Sequence, residues 1–171
     1  MKKERLTRSE KLDPLRRVAD RLMRKGGIRN YRAAILWLRK AARQGDIWAE
    51  YHLGLIYDNG LAGRTDKRRA AAWYERSAAR GYASARLNLG IILANRRGSS
   101  RDLTRAMQLY RLAARDGRGN AAYNLGLYYS EGRGVPKSVA MARKWYRRAS
   151  ELGDRDAGRM LRKLQVGTLP K

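Results

Sequence analysis

The chain has 171 residues, enough for one well-buried domain, and an ordinary apolar content of 43%. Its charge is not ordinary: 40 basic residues, 30 Arg and 10 Lys, stand against 15 acidic ones, a net of +25. The lack of Cys excludes disulfides, thiolate metal sites and a Cys nucleophile, while so one-signed an excess favours fast association with anionic partners.

The chain opens on MKKERLTRSEKLDPL, charged throughout and without the apolar run of a secretory signal. No stretch reaches the ~18 apolar residues of a membrane span. The expectation is a soluble, cytoplasmic protein. In LDPLRRVADRLMRKGG, Asp13 is the predicted N-cap, Pro14 the first helical residue and Gly26 the stop. Leu15, Val18, Ala19 and Leu22 give this helix an apolar face, so residues 1–30 read as a basic leader ending in a capping helix.

From there the sequence repeats every 36 residues without a gap. Leu53-Gly54, Leu89-Gly90 and Leu125-Gly126 are in register, as are Gly45, Gly81, Gly117 and Gly153. Ala34, Ala70, Ala106 and Ala142 form another column, and Ala49, Ala85, Ala121 and Ala157 another. Trp37, Trp73 and Trp145 share a column broken by Leu109; Leu38, Tyr74, Tyr110 and Tyr146 follow in the next. Each period reads as two helices. The first, AAAWYERSAARG from Ala70, carries one apolar stripe and ends at a C′ glycine. The second, ASARLNLGIILAN, puts Ala85, Leu89 and Ile92 on one face, with Gly90 admitting a close neighbour. A lone pair cannot bury its stripe, whereas stacked pairs can. The predicted fold class is therefore all-α, an α-solenoid of stacked antiparallel helix pairs with a 36-residue repeat and about nine helices. Its span is 31–165, in about four units at 34–69, 70–105, 106–141 and 142–165. In the last helix the Leu-Gly column becomes Leu161-Arg162, a charge where a packing glycine belongs, which closes the stack. Residues 166–171 are a short tail.

The stretches AAWYERSAARGYASARLNLG and AAYNLGLYYSEGRGVPKSVAMARKWYRRASELGD resemble Sel1-like repeats, relatives of the tetratricopeptide repeat, over roughly Tyr31 to Leu164. The resemblance implies a scaffold or adaptor that binds other proteins and has no chemistry of its own. Its Gly-x-Gly-Val loop is intact only at Gly132, Gly134 and Val135, and NGLAGRTD and NRRGSSRD are degenerate versions. The loop Asp is present at Asp66 and Asp102 and replaced by Ser138.

Candidate chemistry is sparse. His52 is the single histidine, with no second His or Cys to complete a metal site. Asp154 and Asp156 imitate a catalytic pair, but Asp154 reads as a helix cap. No triad, zinc spacing or phosphate loop is present, so neither an enzyme nor a cofactor, metal or small-molecule substrate is expected. The repeated aromatics read as packing. Trp48 stands out because its column continues Ser84, Asn120, Asp156: it is either an interface anchor or a cover over the seam with the N-terminal helix. Tyr82 is a weaker candidate of the same kind.

The cations also fall into columns. Arg39, Arg111 and Arg147 share one, broken by Glu75; Lys40, Arg76 and Arg148 share the next, broken by Leu112. Both are expected on the first helices, on the side away from the Trp stripe. In helix-pair solenoids of the family resembled, first helices line the concave face, so Arg43, Arg69, Arg105 and Arg115 would join them in a basic groove. A solvated exterior would mix signs, and this one does not. The Arg excess fits bidentate recognition of carboxylate or phosphate, or a GC-rich coding bias. The expected function is a non-enzymatic scaffold capturing an acidic protein partner. The alternative is sequence-tolerant nucleic-acid binding or a place in a ribonucleoprotein assembly.

Overall fold

A computed structural model describes residues 8–95 and 100–166. Residues 1–7, 96–99 and 167–171 lie outside the described residues, and with them part of the leader, the middle of NRRGSSRD and most of the C-terminal stretch read as a tail. Nine helices are described: α1 (Arg8–Lys25), α2 (Ile28–Arg43), α3 (Ile47–Asp58), α4 (Lys67–Ala79), α5 (Ala83–Asn95), α6 (Ser100–Arg115), α7 (Gly119–Glu131), α8 (Val139–Glu151) and α9 (Arg155–Val166). There is no strand among the described residues. Helices α3, α5, α7 and α9 begin 36 residues apart, as the columns require. None of the helices described is long and apolar enough to cross a membrane.

The chain divides within α5 into two compact units, one reaching Ala85 and the other beginning at Arg86. In the first, α1 packs on α2, α2 on α3, and α3 on α4. Its core includes Ala19, Ala34, Leu38, Leu53 and Tyr74, all fully enclosed. In the second, α6 packs on α7, α7 on α8, and α8 on α9, around Tyr110, Ala121, Leu125, Tyr146 and Ala157. Within each unit the architecture is the expected stack of helix pairs.

The glycine at the end of each first helix closes it in the same way four times. Gly45, Gly81, Gly117 and Gly153 have φ between 76° and 91°. Each donates its N–H to the carbonyl three residues back, and the next residue donates to the carbonyl five back, as in Gly45 N to Ala42 O and Asp46 N to Ala41 O. That pair of bonds is the Schellman closure, and it satisfies carbonyls a helix end would otherwise leave bare. A side chain added at Gly117 would meet nothing within 4 Å, so only the left-handed backbone opposes it. Gly117→Ala is expected to cost about 1 kcal/mol in a urea melt, and Gly117→Asn less.

The Leu-Gly columns are seams. A Cβ on Gly54 would lie 2.5 Å from the Tyr74 ring, one on Gly90 2.7 Å from Tyr110, and one on Gly126 2.6 Å from Tyr146. Each second helix thus receives the aromatic ring of the following first helix directly on its backbone. The three tyrosines are at most 2% exposed, whereas Trp37, Trp73 and Trp145 are only half-buried, at the margin of the core. Burial pushes the Tyr110 and Tyr146 hydroxyls above their ordinary pKa.

Asp154 is the expected cap, but the first helices begin ahead of their Ala column, α4 at Lys67 rather than Ala70. Asp66 accepts from Arg69 N, Ser138 from Met141 N, and Asp154 from Asp156 N and Ala157 N. The serine therefore does the work of the missing loop Asp. Asp102, by contrast, lies inside the first turn of α6. The N-terminal helix departs from expectation: it begins at Arg8, and Asp13-Pro14 is interior rather than its cap. Leu12 is 6% exposed and Ala19 fully enclosed, two turns apart on one face. Seating Leu12 requires helix upstream of Pro14, at the loss of one backbone hydrogen bond. At the other end, Arg162 is exposed and Leu161 half-buried.

Candidate functional site

The candidate cations are on the first helices, but most of them are engaged with their own chain. In the first unit, Leu36, Trp37, Arg39, Lys40 and Arg43 line one open cavity of about 320 Å³ on α2. Lys40 Nζ sits 4.8 Å above the Trp37 ring. Arg76 likewise stacks at 4.9 Å on Trp73. This corrects the expectation that the cations avoid the Trp stripe: positions three apart are neighbours on a helix surface, and the indole face attracts them.

Arg39 donates to the Tyr57 hydroxyl at 2.9 Å, and Arg111, two periods later, donates to the Tyr129 hydroxyl at 3.0 Å. In the intervening period the Arg column holds Glu75 and the Tyr column Leu93, so the two positions change together. Arg69 pairs with Asp66 at 3.3 Å and lies over the Tyr57 ring. Arg148 pairs with Glu151 at 3.2 Å. Arg105 shares a shallow cavity on α6 with Ser100, Arg101, Thr104 and Gln108. Arg43, Arg115 and Arg147 are exposed and make no ion pair among the described residues.

Two buried carboxylates, absent from the sequence-based candidates, organise the first unit. Asp46, 1% exposed, caps α3 through Trp48 N and receives Arg16 in a two-pronged bond of 2.5 and 2.6 Å. Glu50, 2% exposed, is held by Arg76 at 3.1 Å and Arg80 at 3.5 Å. Arg80 also donates to the Gly45 carbonyl at 2.7 Å. Arg76 is therefore structural before it is anything else.

Trp48 is half-buried, 4.0 Å from the His52 ring, and borders a cavity of about 320 Å³ with Arg16, Arg17 and Asp20 of α1. Trp48 thus lies beside α1, as the seam-cover reading requires. Tyr82 packs against Tyr51 at 4.8 Å and is half-buried. His52 contacts the rings of Trp48 and Tyr51 and is half-buried; burial lowers its pKa, opposed by Asp20 and Asp46. No group of three potential metal-binding side chains occurs among the described residues.

Leu36 is a residue the sequence reading missed. It is 61% exposed in the middle of α2, and its column continues Ala72, Gln108, Lys144. The signal that singled out Trp48, one large apolar side chain in a small or polar column, was present there too.

A family model described as the Sel1 repeat matches residues 16–46, 49–82, 83–117 and 119–154. Among solved structures, the chain is 31% identical to a protective antigen of uropathogenic Escherichia coli with an SLR fold, at a TM-score of 0.82, over 92% of this chain and 34% of the other. It is also 31% identical to a Sel1 repeat protein from Oxalobacter formigenes, at a TM-score of 0.72, over 84% and 58%. The chain thus spans about a third and somewhat over half of those two proteins. No curated protein matches it.

Proposed function

The chain belongs to the Sel1 repeat family, whose members are generally protein-interaction scaffolds, and from that membership we propose that it is a non-enzymatic adaptor whose first helices capture an acidic protein segment. The observation carrying this reading is the α2 surface. There the exposed Leu36 and the half-buried Trp37 share a cavity with Arg39, Lys40 and Arg43, and no acid lines it. An apolar anchor rimmed by charge is the composition of a binding hot spot. A peptide bearing Asp and Glu around one large apolar side chain complements it. The proposal assigns the chain no chemistry of its own.

The test is titration of a labelled Asp/Glu-rich peptide containing one leucine. K40E/R43E is expected to weaken binding at least tenfold, while R155E/K163E on α9, equal in charge change, has little effect. Leu36→Gln should cost about tenfold through lost apolar burial. Affinity should fall as salt rises from 0.1 to 1 M and the Debye length shrinks from about 10 Å to about 3 Å. Equal losses from both reversals would mean the peptide senses total charge alone, and the α2 site would be wrong.

A further inference from the structure

The outward face of α1 is a second charged surface, independent of α2. Arg17, Asp20, Arg21, Arg24 and Lys25 line a shallow cavity of about 460 Å³. It continues through Arg17 and Asp20 into the cavity bordered by Arg16 and Trp48. Of the acids nearby, Asp46 receives Arg16 and Asp20 pairs with Arg24, while the exposed Asp13 stands one turn before Arg17. That leaves Arg17, Arg21 and Lys25, all exposed, without an ion pair among the described residues. They lie four residues apart, so they form one stripe with about 6 Å of helix rise between neighbours. At one end of the stripe stands the half-buried Trp48 indole, in tilted contact with the His52 ring, centroids 4.0 Å apart.

We propose that α1 and Trp48 bind single-stranded nucleic acid, the three cations tracking the phosphate backbone and the Trp48 ring stacking on a base. A row of cations beside a supported aromatic face is the combination that binds single strands without sequence preference. The surface suits an acidic peptide less well, because it holds no counterpart of Leu36: among the described residues, no exposed large apolar side chain lies on α1. The same observation disfavours insertion into a lipid surface, since the apolar side of α1 is spent on α2. A duplex would hide the base faces that Trp48 could use.

The experiment is fluorescence anisotropy with a labelled oligothymidylate, an abasic strand of the same length, anionic phospholipid vesicles and the acidic peptide described above. Wild type should bind oligothymidylate with a log–log salt slope near −2, from about three phosphate contacts at ~0.7 each. R17E/R21E/K25E should lose at least tenfold, and R17Q/R21Q/K25Q, which avoids introduced repulsion, should lose several-fold. R155E/R162E/K163E, equal in charge change to the first, should retain binding. Trp48→Ala should weaken oligothymidylate about tenfold and leave the abasic strand unaffected. Circular dichroism checks that each variant is helical. Equal losses from the α1 and α9 reversals, an equal effect of Trp48→Ala on both strands, or an α1 dependence confined to vesicles or peptide would overturn the proposal. K40E/R43E should leave oligothymidylate binding intact, so the α1 and α2 assignments stand or fall separately.

Discussion

Gly126→Leu is expected to destabilise the second unit by about 3 kcal/mol, and even Gly126→Ala should lower its stability. A Cβ at this position would sit 2.6 Å from two carbons of the Tyr146 ring, well inside van der Waals contact. That ring is fully enclosed, and its hydroxyl is 3.5 Å from the Ser130 hydroxyl. It cannot retreat without disturbing the α7–α8 packing, and overpacking a tight seam costs about 1–3 kcal/mol. The informative contrast is Gly158→Ala on α9, where the nearest atom is Arg162 Nη1 at 3.9 Å. There the substitution should stabilise by up to ~1 kcal/mol, because Ala is the better helix former. The same chemical change is thus expected to act with opposite signs at two helical glycines. Urea denaturation of each variant decides it, and a shared sign would refute the role assigned to the Gly–Tyr seams.

The second large effect concerns Glu50. Replacing Arg76 and Arg80 together by Met keeps much of their aliphatic packing but strips a 2%-exposed carboxylate of both ion-pair partners. Breaking a buried pair from one side costs about 3–5 kcal/mol. The Arg76 and Arg80 side chains are 54% and 37% exposed, so the lower end, about 3 kcal/mol, is expected. Adding Glu50→Gln removes the stranded charge and should recover part of the loss, since a buried amide still lacks hydrogen-bond partners. If the triple variant is no more stable than the double, the arginines do not act through the Glu50 charge. This also settles how Arg76 should be treated in binding work: a weakened complex after Arg76→Glu would report on the fold of the first unit as much as on a partner.

The fold was legible because the repeat is gapless and its punctuation is chemical. A glycine every 36 residues, followed two residues later by a helix start, needs no tertiary information to interpret. Asp13-Pro14 misled for the opposite reason. Locally it satisfies every cue for a helix start, and the distant need to bury Leu12 overrides it. The binding surfaces were legible only in outline. Columns order residues along the chain but do not show angular neighbours, so Trp37 and Lys40 were read as facing apart when three residues place them together. Asp46 and Glu50 were passed over because a lone acid in a helical segment looks solvated. Their partners Arg16 and Arg80 are each 30 residues away, beyond any local pattern. Leu36, by contrast, could have been found by the column test already applied to Trp48.

The Gly–Tyr seams have a consequence in time as well as in stability. Each joins a glycine to a tyrosine twenty residues downstream: Gly54 to Tyr74, Gly90 to Tyr110, Gly126 to Tyr146. Loops that short close at little entropic cost, and helical proteins dominated by such local contacts fold in microseconds to milliseconds. A ribosome adding roughly 5–20 residues per second needs about one to four seconds to pass from the glycine to its tyrosine. Closure is therefore far faster than supply. Each seam can form as its tyrosine emerges, so the apolar face of a nascent second helix waits only seconds for its cover.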